Sequence, residues 1–237
     1  MSPRGRFLVV ALEAKPLCLP VRGLITLNGV VMKHLKLACL LLATTALFGC
    51  ATSRSVVDIA TPAVANGNGQ KVFISVLDER RFELKPQVPE IPSLKEGEIT
   101  DKSITERAIA RKRNGYGMGL GDVLLPEGTK VSDLIAKSIA TAYGQAGYRV
   151  VPSSEKTVDT QAITVHVIEF WSWMSPGFLT VGVNNKVHLK VDTGTSAAPI
   201  EIHGQNREGV QAVTDNDWKE STEQALKTIT DTMAKNL

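Results

Sequence analysis

The pattern of apolar and polar positions between residues 71 and 237 predicts a sheet. The nearly continuous apolar run Lys71–Leu77 is typical of a strand that is buried on both faces. Val187, Leu189 and Val191 alternate with polar residues, which is the pattern of a strand with one solvated face. Further strands are predicted at 148–151, 162–170, 179–191 and 200–213, and a hairpin at 106–125 turning through Asn114–Gly115.

Two stretches with apolar residues at helical spacing predict amphipathic helices. The first begins after Thr129 and runs to about Tyr143, and the second begins near Asp215, within the capping-box sequence 214–217. Prolines 86, 89 and 92 predict an irregular connection. Residues 71–237 are therefore expected to form a single two-layer α+β domain. Its mostly antiparallel sheet would have five to six strands, with both helices on one face.

The longest apolar stretch, residues 37–48, follows Met32 and the basic residues Lys33 and Lys36. It is too short to span a bilayer, and its basic start favours a secretory signal. Residues 32–49 are thus predicted to be a signal peptide. Residues 1–31 do not suit a signal's short charged region, so Met32 is expected to be the true start; a genuine leader extension is the alternative.

The signal ends in Leu47-Phe48-Gly49-Cys50, which resembles the lipobox of bacterial lipoproteins, although Phe48 departs from the small residue usual there. Small Gly49 lets a peptidase approach the bond before Cys50, and the Cys50 thiol is the nucleophile that accepts diacylglycerol. We therefore predict cleavage between Gly49 and Cys50, and a covalent diacylglycerol with an N-acyl chain such as palmitate on Cys50. A plain signal peptide is the alternative. Residues 50–70 are small and polar and are expected to form a flexible tether.

Removal of the leader changes the charge and cysteine content. Residues 1–49 hold six of the 27 Lys and Arg and one of the 24 Asp and Glu, which leaves 21 basic and 23 acidic groups. The mature chain is therefore weakly acidic, which argues against a nucleic-acid partner. Cys18 and Cys39 leave with the signal and Cys50 is acylated, so no disulfide is expected.

Motifs for catalysis and metal binding are weak. The glycines between 115 and 121 lack the spacing of a phosphate-binding loop, and there is no G-x-S-x-G elbow. His166, His188 and His203 fall on three successive predicted strands and could share one face, but their spacing matches no metal motif. We expect ordinary exposed histidines, no metal, no cofactor besides the acyl groups, and no enzymatic activity.

The aromatic segment 170–178 is the most suggestive surface candidate. Trp171 and Trp173 project from one side of a predicted strand, and the chain turns at Pro176–Gly177. With Met174 and Phe178 they are candidate contacts for a partner or a lipid. The alternative, which the cost of exposing two indole rings favours, is that both tryptophans cover the end of the core beneath a helix.

The mature chain resembles the YajG-type family of Gram-negative lipoproteins. The resemblance rests on the lipobox, a strand closed by Val76-Leu-Asp-Glu-Arg80, the arm Ile109–Arg113 and the segment Ala146-Gly-Tyr148. It implies an uncharacterised outer-membrane lipoprotein without catalytic residues. Ala51, in place of Asp, follows Cys50, which in such proteins implies sorting to the outer membrane.

These observations favour a non-catalytic, lipid-anchored envelope lipoprotein. Its domain would face the periplasm and serve as a binding or assembly component with a periplasmic protein partner. The alternative is an accessory protein that carries a lipid-like ligand, either at the Trp–Met–Phe segment or between the helices and the sheet.

Overall fold

The structure is a computed structural model that describes residues 53–64, 67–195 and 198–237. The predictions on the leader, the signal peptide, the cleavage site and Cys50 lie outside these residues. In chain order, the elements are β1 (Ser55–Val56), β2 (Lys71–Asp78), α1 (Lys102–Thr105), β3 (Ala108–Arg113), β4 (Gly119–Leu124), α2 (Val131–Gln145), β5 (Arg149–Val150), β6 (Gln161–Pro176), β7 (Val181–Asp192), β8 (Ile200–Val210) and α3 (Asp215–Ala234).

The long strand β6 organises the sheet. One of its edges pairs with β7 in antiparallel fashion from Thr164 to Pro176, and β7 pairs with β8. The other edge is shared: the first half of β6 pairs with β2 and the second half contacts β3, both in parallel. Strand β5 extends the β2 side, and β4 and then β1 extend the β3 side. The sheet thus divides into two branches on one side of β6.

Both long helices pack on the same face of the sheet, as predicted. The stripe of α3 that contains Trp218, Leu226 and Ile229 is fully buried, because its apolar residues recur at helical spacing. The predicted start of α3 is confirmed, since the Asp217 carboxylate accepts a hydrogen bond from the Thr214 amide at 2.6 Å. Together with Ile135 and Ile139 of α2, these side chains fill the space between the helices and the sheet.

The α+β prediction is confirmed, with corrections of detail. The sheet has eight strands, more than the five to six expected. Strand β5 lies within the stretch 148–151 that was predicted as a strand, whereas the two-residue strand β1 carries too little sequence pattern to be recognised. Most of the paired length is antiparallel, but β2 and β3 both run parallel to β6. Strand β6 also continues to Pro176, so residues 170–176 of the aromatic segment lie within a strand and Phe178 lies in the turn that follows.

The tether prediction is wrong for the segment 55–59, which is part of the folded domain. Val57 and Ile59 are buried in the core, and the Val57 amide donates to the Leu124 carbonyl at 2.9 Å. The physical reason is the alternation Val57-Asp58-Ile59, which places two apolar side chains on one face of an extended segment. Among the described parts of the chain, no helix has the length and apolar character needed to cross a membrane.

Candidate functional site

The described chain enters the domain at the edge of the sheet, beside the β3–β4 hairpin. Lys112 holds this entry: its ammonium donates to the Ser53 carbonyl at 3.2 Å and to the Ser55 hydroxyl at 2.7 Å. Gly121 allows the close approach, because a Cβ there would lie 2.5 Å from the Ser53 carbonyl oxygen. The Ser55 hydroxyl in turn donates to Asp215 at the start of α3, at 2.5 Å. The first segment is therefore fixed to the hairpin and to a helix.

A buried ion-pair group lies under the same segment. Asp122 of β4 is almost fully buried and accepts from Arg54 at 3.2 Å, while Arg111 lies 3.7 Å away. Arg54 also pairs with Glu98 at 2.7 Å. Burial raises the pKa of Asp122, and the hydrogen bond from Arg54 partly opposes that effect. Through these contacts Arg54 attaches the first described segment to the domain at a second place, in addition to the Lys112 contacts.

Two hairpin turns of the sheet are exposed. The β3–β4 turn carries Tyr116, which is 91% exposed, and the largely exposed Met118. The β6–β7 turn carries Phe178, which is 99% exposed, and Leu179, which is also exposed. The predicted hairpin turn at Asn114–Gly115 is confirmed, with the Asn114 side chain accepting from the backbone amides of Tyr116 and Met118.

The structure divides the residues of the aromatic segment between the core and the surface. Trp171 and Trp173 are only 1% and 5% exposed, so the alternative of burial holds for both. They pack in a cluster with Leu94 and Phe82 of the irregular connection after β2 and with Ile104 of the short helix α1. Phe82 meets the Trp171 ring edge-on at 5.9 Å, and neither of the two long helices belongs to this cluster. Met174 is half-buried against the helix-side core. Of the four candidates for partner or lipid contact, Phe178 alone is freely accessible.

The motif Asp78-Glu-Arg80 of the sequence resemblance has a structural role. Arg80 is buried and forms a bidentate pair with Asp78, with both N–O distances at 2.8 Å. Its remaining N–H groups donate to the backbone carbonyls of Thr105, Ala108 and Phe170. Arg80 thereby connects β2, α1, β3 and β6. The sequence pattern alone does not distinguish Arg80, which is buried, from its neighbour Arg81, which is exposed.

Two of the three predicted histidines come together. His188 and His203 are cross-strand partners on β7 and β8, with rings stacked at 4.2 Å between centroids. Glu201 joins them: its carboxylate lies 2.7 Å from His188 Nε2 and 3.8 Å from His203 Nε2. His188 lowers the pKa of Glu201 through this hydrogen bond. His166 lies apart and pairs with Glu79 at 2.9 Å.

Sequence reasoning missed Glu201, although its position two residues before His203 places it on the same strand face. Ring nitrogens and a carboxylate oxygen of His188, Glu201 and His203 lie within 4.8 Å of one another, which is a set of metal-ligand type. The Lys190 ammonium, however, lies 3.5 Å from the same carboxylate. The cluster is therefore already neutralised by a cation that belongs to the chain.

A groove of about 490 Å³ lies beside Arg80. Its wall is mixed, with the charged residues Lys102, Glu106 and Lys130 facing apolar Val76 and Phe82. An ion pair between Lys130 and Glu106 at 2.8 Å crosses part of this wall. A long apolar chain would have to displace the hydration of these charges, so the groove is poorly suited to a lipid.

Comparison with known proteins finds no matching family profile and no similar curated protein. Solved structures show distant similarity. One is an uncharacterised protein, with 11% identity over 77% of this chain and 99% of the other and a TM-score of 0.43. A second is a Xanthomonas campestris protein of a family of unknown function, with 9% identity over 78% and 93% and a TM-score of 0.42. A third is a Neisseria meningitidis lipoprotein, with 13% identity over 40% and 83% and a TM-score of 0.24. At these scores the similarity assigns neither a family nor a function.

Proposed function

We propose that this chain is a YajG-type lipoprotein, acylated on Cys50 and attached to the periplasmic face of the outer membrane. The signal-like segment 32–49 and the lipobox 47–50 support the acylation, and Ala51 supports the sorting. In this proposal the domain described here is the periplasmic part of the protein.

The observation that carries the proposal furthest is the attachment of Ser53 to the domain. From Ser53 onward the backbone is bound to Lys112 and packed on Gly121. Only Ala51 and Thr52 then lie between the acylated Cys50 and the folded domain. The three Cα–Cα steps from Cys50 to Ser53 span at most about 10 Å. A lipid on Cys50 would therefore hold the domain directly against the membrane surface.

We further propose that the domain has a non-catalytic role, as a binding or assembly component for a periplasmic protein. Its buried charged groups are used in structure: Arg80 joins four elements, and Asp122 secures Arg54 at the chain entry. The alternative role, carriage of a lipid-like ligand, would need an apolar cavity. The space between helices and sheet is instead filled by side chains such as Ile139 and Ile229.

Acylation and sorting are tested in a Gram-negative host. We expect metabolically supplied palmitate and the corresponding intact mass on the wild-type protein, and loss of both in Cys50→Ser. Cys39→Ser is the matched control, because that thiol leaves with the signal peptide. Ala51→Asp should move the acylated protein to the inner-membrane fraction. A Cys50→Ser protein that remains on the envelope as firmly as the wild type would refute the anchor.

We also propose that the cluster of His188, Glu201 and His203 works without a metal, since Lys190 balances the Glu201 charge. Metal analysis of the purified protein should find no stoichiometric zinc after dialysis. Added zinc should perturb the histidine NMR signals equally in the wild type and in Glu201→Gln. Zinc that remains bound to the wild type and is lost from the variant would contradict this.

A partner should be detectable by in-cell crosslinking of the anchored protein. We expect one dominant crosslinked species that depends on the position of the crosslinker on the domain. If every surface position gave no crosslinked protein, the binding role would be refuted while the anchor would stand.

A further inference from the structure

Exposed large apolar side chains are concentrated on the two hairpin turns. Tyr116, Met118, Phe178 and Leu179 are the most exposed large apolar side chains of the described domain, together with Val158. The first two lie on the β3–β4 turn and the next two on the β6–β7 turn. Neither turn carries an acidic residue between Arg113 and Gly121 or between Met174 and Val187.

The strand register places both turns at the same end of the sheet. β3 runs parallel to β6, with Ala110 opposite Ser172, so the carboxyl ends of these two strands point in the same direction. Each of those ends leads directly into one of the turns. The two hairpins are neighbours at this register, so their centres are about two strand spacings, roughly 10 Å, apart.

The segment that precedes β1 runs towards the same end of the sheet. β1 runs parallel to β4, with Ser55 opposite Val123, so the chain runs towards the β3–β4 turn when it is followed backwards from Ser55. Ser53 lies beside Gly121. The three residues from Ser53 back to Cys50 can span about 10 Å, which equals the length of strand from Gly121 back to Met118. An acyl group on Cys50 can therefore reach the level of the two turns.

We propose that the two turns and the acylated N-terminus form one membrane-contacting surface, with the Tyr116, Met118, Phe178 and Leu179 side chains inserted into the interfacial layer of the phospholipid bilayer that holds the anchor. The proposal rests on the acylation of Cys50 proposed above. Tyrosine is favoured in the interfacial layer because its ring is apolar while its hydroxyl stays hydrated. Neither turn itself brings a carboxylate to the phosphate groups. Asp215, at the start of α3, is at the chain entry, where it is bonded to Ser55 and paired with Lys112.

The first turn is held in the conformation that presents these side chains. Arg113 donates to the Gly117 carbonyl at 2.6 Å, and Asn114 accepts from two amides of the turn. Gly117 adopts a positive φ of 79°, a conformation that glycine takes without strain. Its two neighbours, Tyr116 and Met118, are both exposed. Insertion therefore requires little ordering of the chain, which favours binding.

The test uses the mature acylated protein, in which Cys50 is blocked by its lipid. Single Tyr116→Cys, Phe178→Cys and Val158→Cys variants are labelled with an environment-sensitive fluorophore. They are reconstituted into vesicles of phosphatidylethanolamine and phosphatidylglycerol, with or without nitroxide-labelled lipid. Val158 is the matched control, being 100% exposed and located before the start of β6. The 16 residues of β6 place it roughly 50 Å from the turns.

We expect lipid nitroxides to quench the labels at 116 and 178 several-fold more strongly than the label at 158. Equal quenching at the three positions, on protein whose intact mass shows the acyl chains, would overturn this proposal and leave the anchor intact. Labels at 116 and 178 that are shielded from aqueous iodide but not quenched by lipid would mean that a protein covers the turns, which also overturns it. Protein without acyl mass would refute the anchor itself, and this proposal with it.

Discussion

Replacement of Arg80 tests the central structural claim about the domain. Arg80→Met keeps an unbranched apolar stem in place of the arginine stem but removes the guanidinium and all five of its hydrogen bonds: two to the Asp78 carboxylate and three to backbone carbonyls. It also removes the guanidinium from the Phe82 ring, whose centre lies 5.3 Å from the Arg80 Cζ. Asp78 remains partly exposed to solvent and can be rehydrated, whereas the carbonyls of Ala108 and Phe170 belong to buried residues.

The expected loss follows from these two carbonyls and the lost ion pair. A buried acceptor left without its donor costs about 1–3 kcal/mol, and breaking a buried ion pair by removal of one partner costs about 3–5 kcal/mol. Because Asp78 can be rehydrated, we expect the free energy of unfolding to fall by about 3–4 kcal/mol. With a urea m-value of about 2 kcal/mol per molar, the unfolding midpoint should fall by roughly 2 M.

Urea unfolding of the mature protein in mild detergent, followed by tryptophan fluorescence, measures this loss. All three tryptophans are buried, and Trp171 packs in the same cluster as Phe82, so the signal reports on the region directly. Exposed Arg81→Met is the matched control and should change the free energy of unfolding by less than about 0.5 kcal/mol. A loss below about 1 kcal/mol in Arg80→Met would refute the assigned role.

Three further predictions concern the chain entry and the buried polar groups. Gly121→Val should push Ser53 off the sheet, because the new Cβ would lie 2.5 Å from the Ser53 carbonyl, and proteolysis just before β1 should accelerate; Gly115→Val, at a site with open space, should not accelerate it. Tyr143→Phe should stabilise the protein by about 1 kcal/mol in thermal unfolding, because the buried hydroxyl lacks a hydrogen-bond partner. The same burial raises the pKa of Tyr143 to about 12, so an absorbance titration of the variant should lose that late step. Burial raises the pKa of Asp122 above its ordinary 3.8, so the folded state binds this proton more tightly than the unfolded state does. The free energy of unfolding of the wild type minus that of Asp122→Asn should therefore increase as the pH falls from 7 towards 4. A difference that decreases over this pH range would contradict the assignment.

The spacing of apolar residues alone was sufficient to predict the long helix and strands. The stripe of α3, the alternation in β7 and the turn at Asn114 each follow from local spacing, and all three are confirmed. The segment with Val57 and Ile59 was misread because its few apolar residues stand among small polar ones. Its burial depends on a neighbouring strand distant in sequence, since Val57 bonds to Leu124. A local pattern contains no signal for such a contact.

The candidate surface was only partly predictable for the same reason. The aromatic segment was recognised, but whether a tryptophan is covered depends on the connection that folds over it, and the residues of that connection have no period. Phe178 was identified as a possible contact residue, whereas Tyr116 and Met118 were seen only as part of a glycine-rich turn. Their juxtaposition with Phe178 arises from the parallel register of β3 and β6, which local spacing does not specify.

The short connection between Cys50 and the domain has a consequence for partner binding. A flexible tether of 20 residues would have an average extension of roughly 25 Å and would let the domain turn freely above the membrane. Attachment at Ser53 leaves only Ala51 and Thr52 as a connection to Cys50. An acylated chain would therefore keep the two hairpin turns towards the bilayer and the Val158 end towards the periplasm. A soluble partner would then have access to the outer face of β7 and β8, the exposed side of α3 and the Val158 end. In-cell crosslinkers at His203 or Val158 should therefore capture the partner more efficiently than crosslinkers at Phe178, and the reverse order would mean that the turns face the partner and not the lipid.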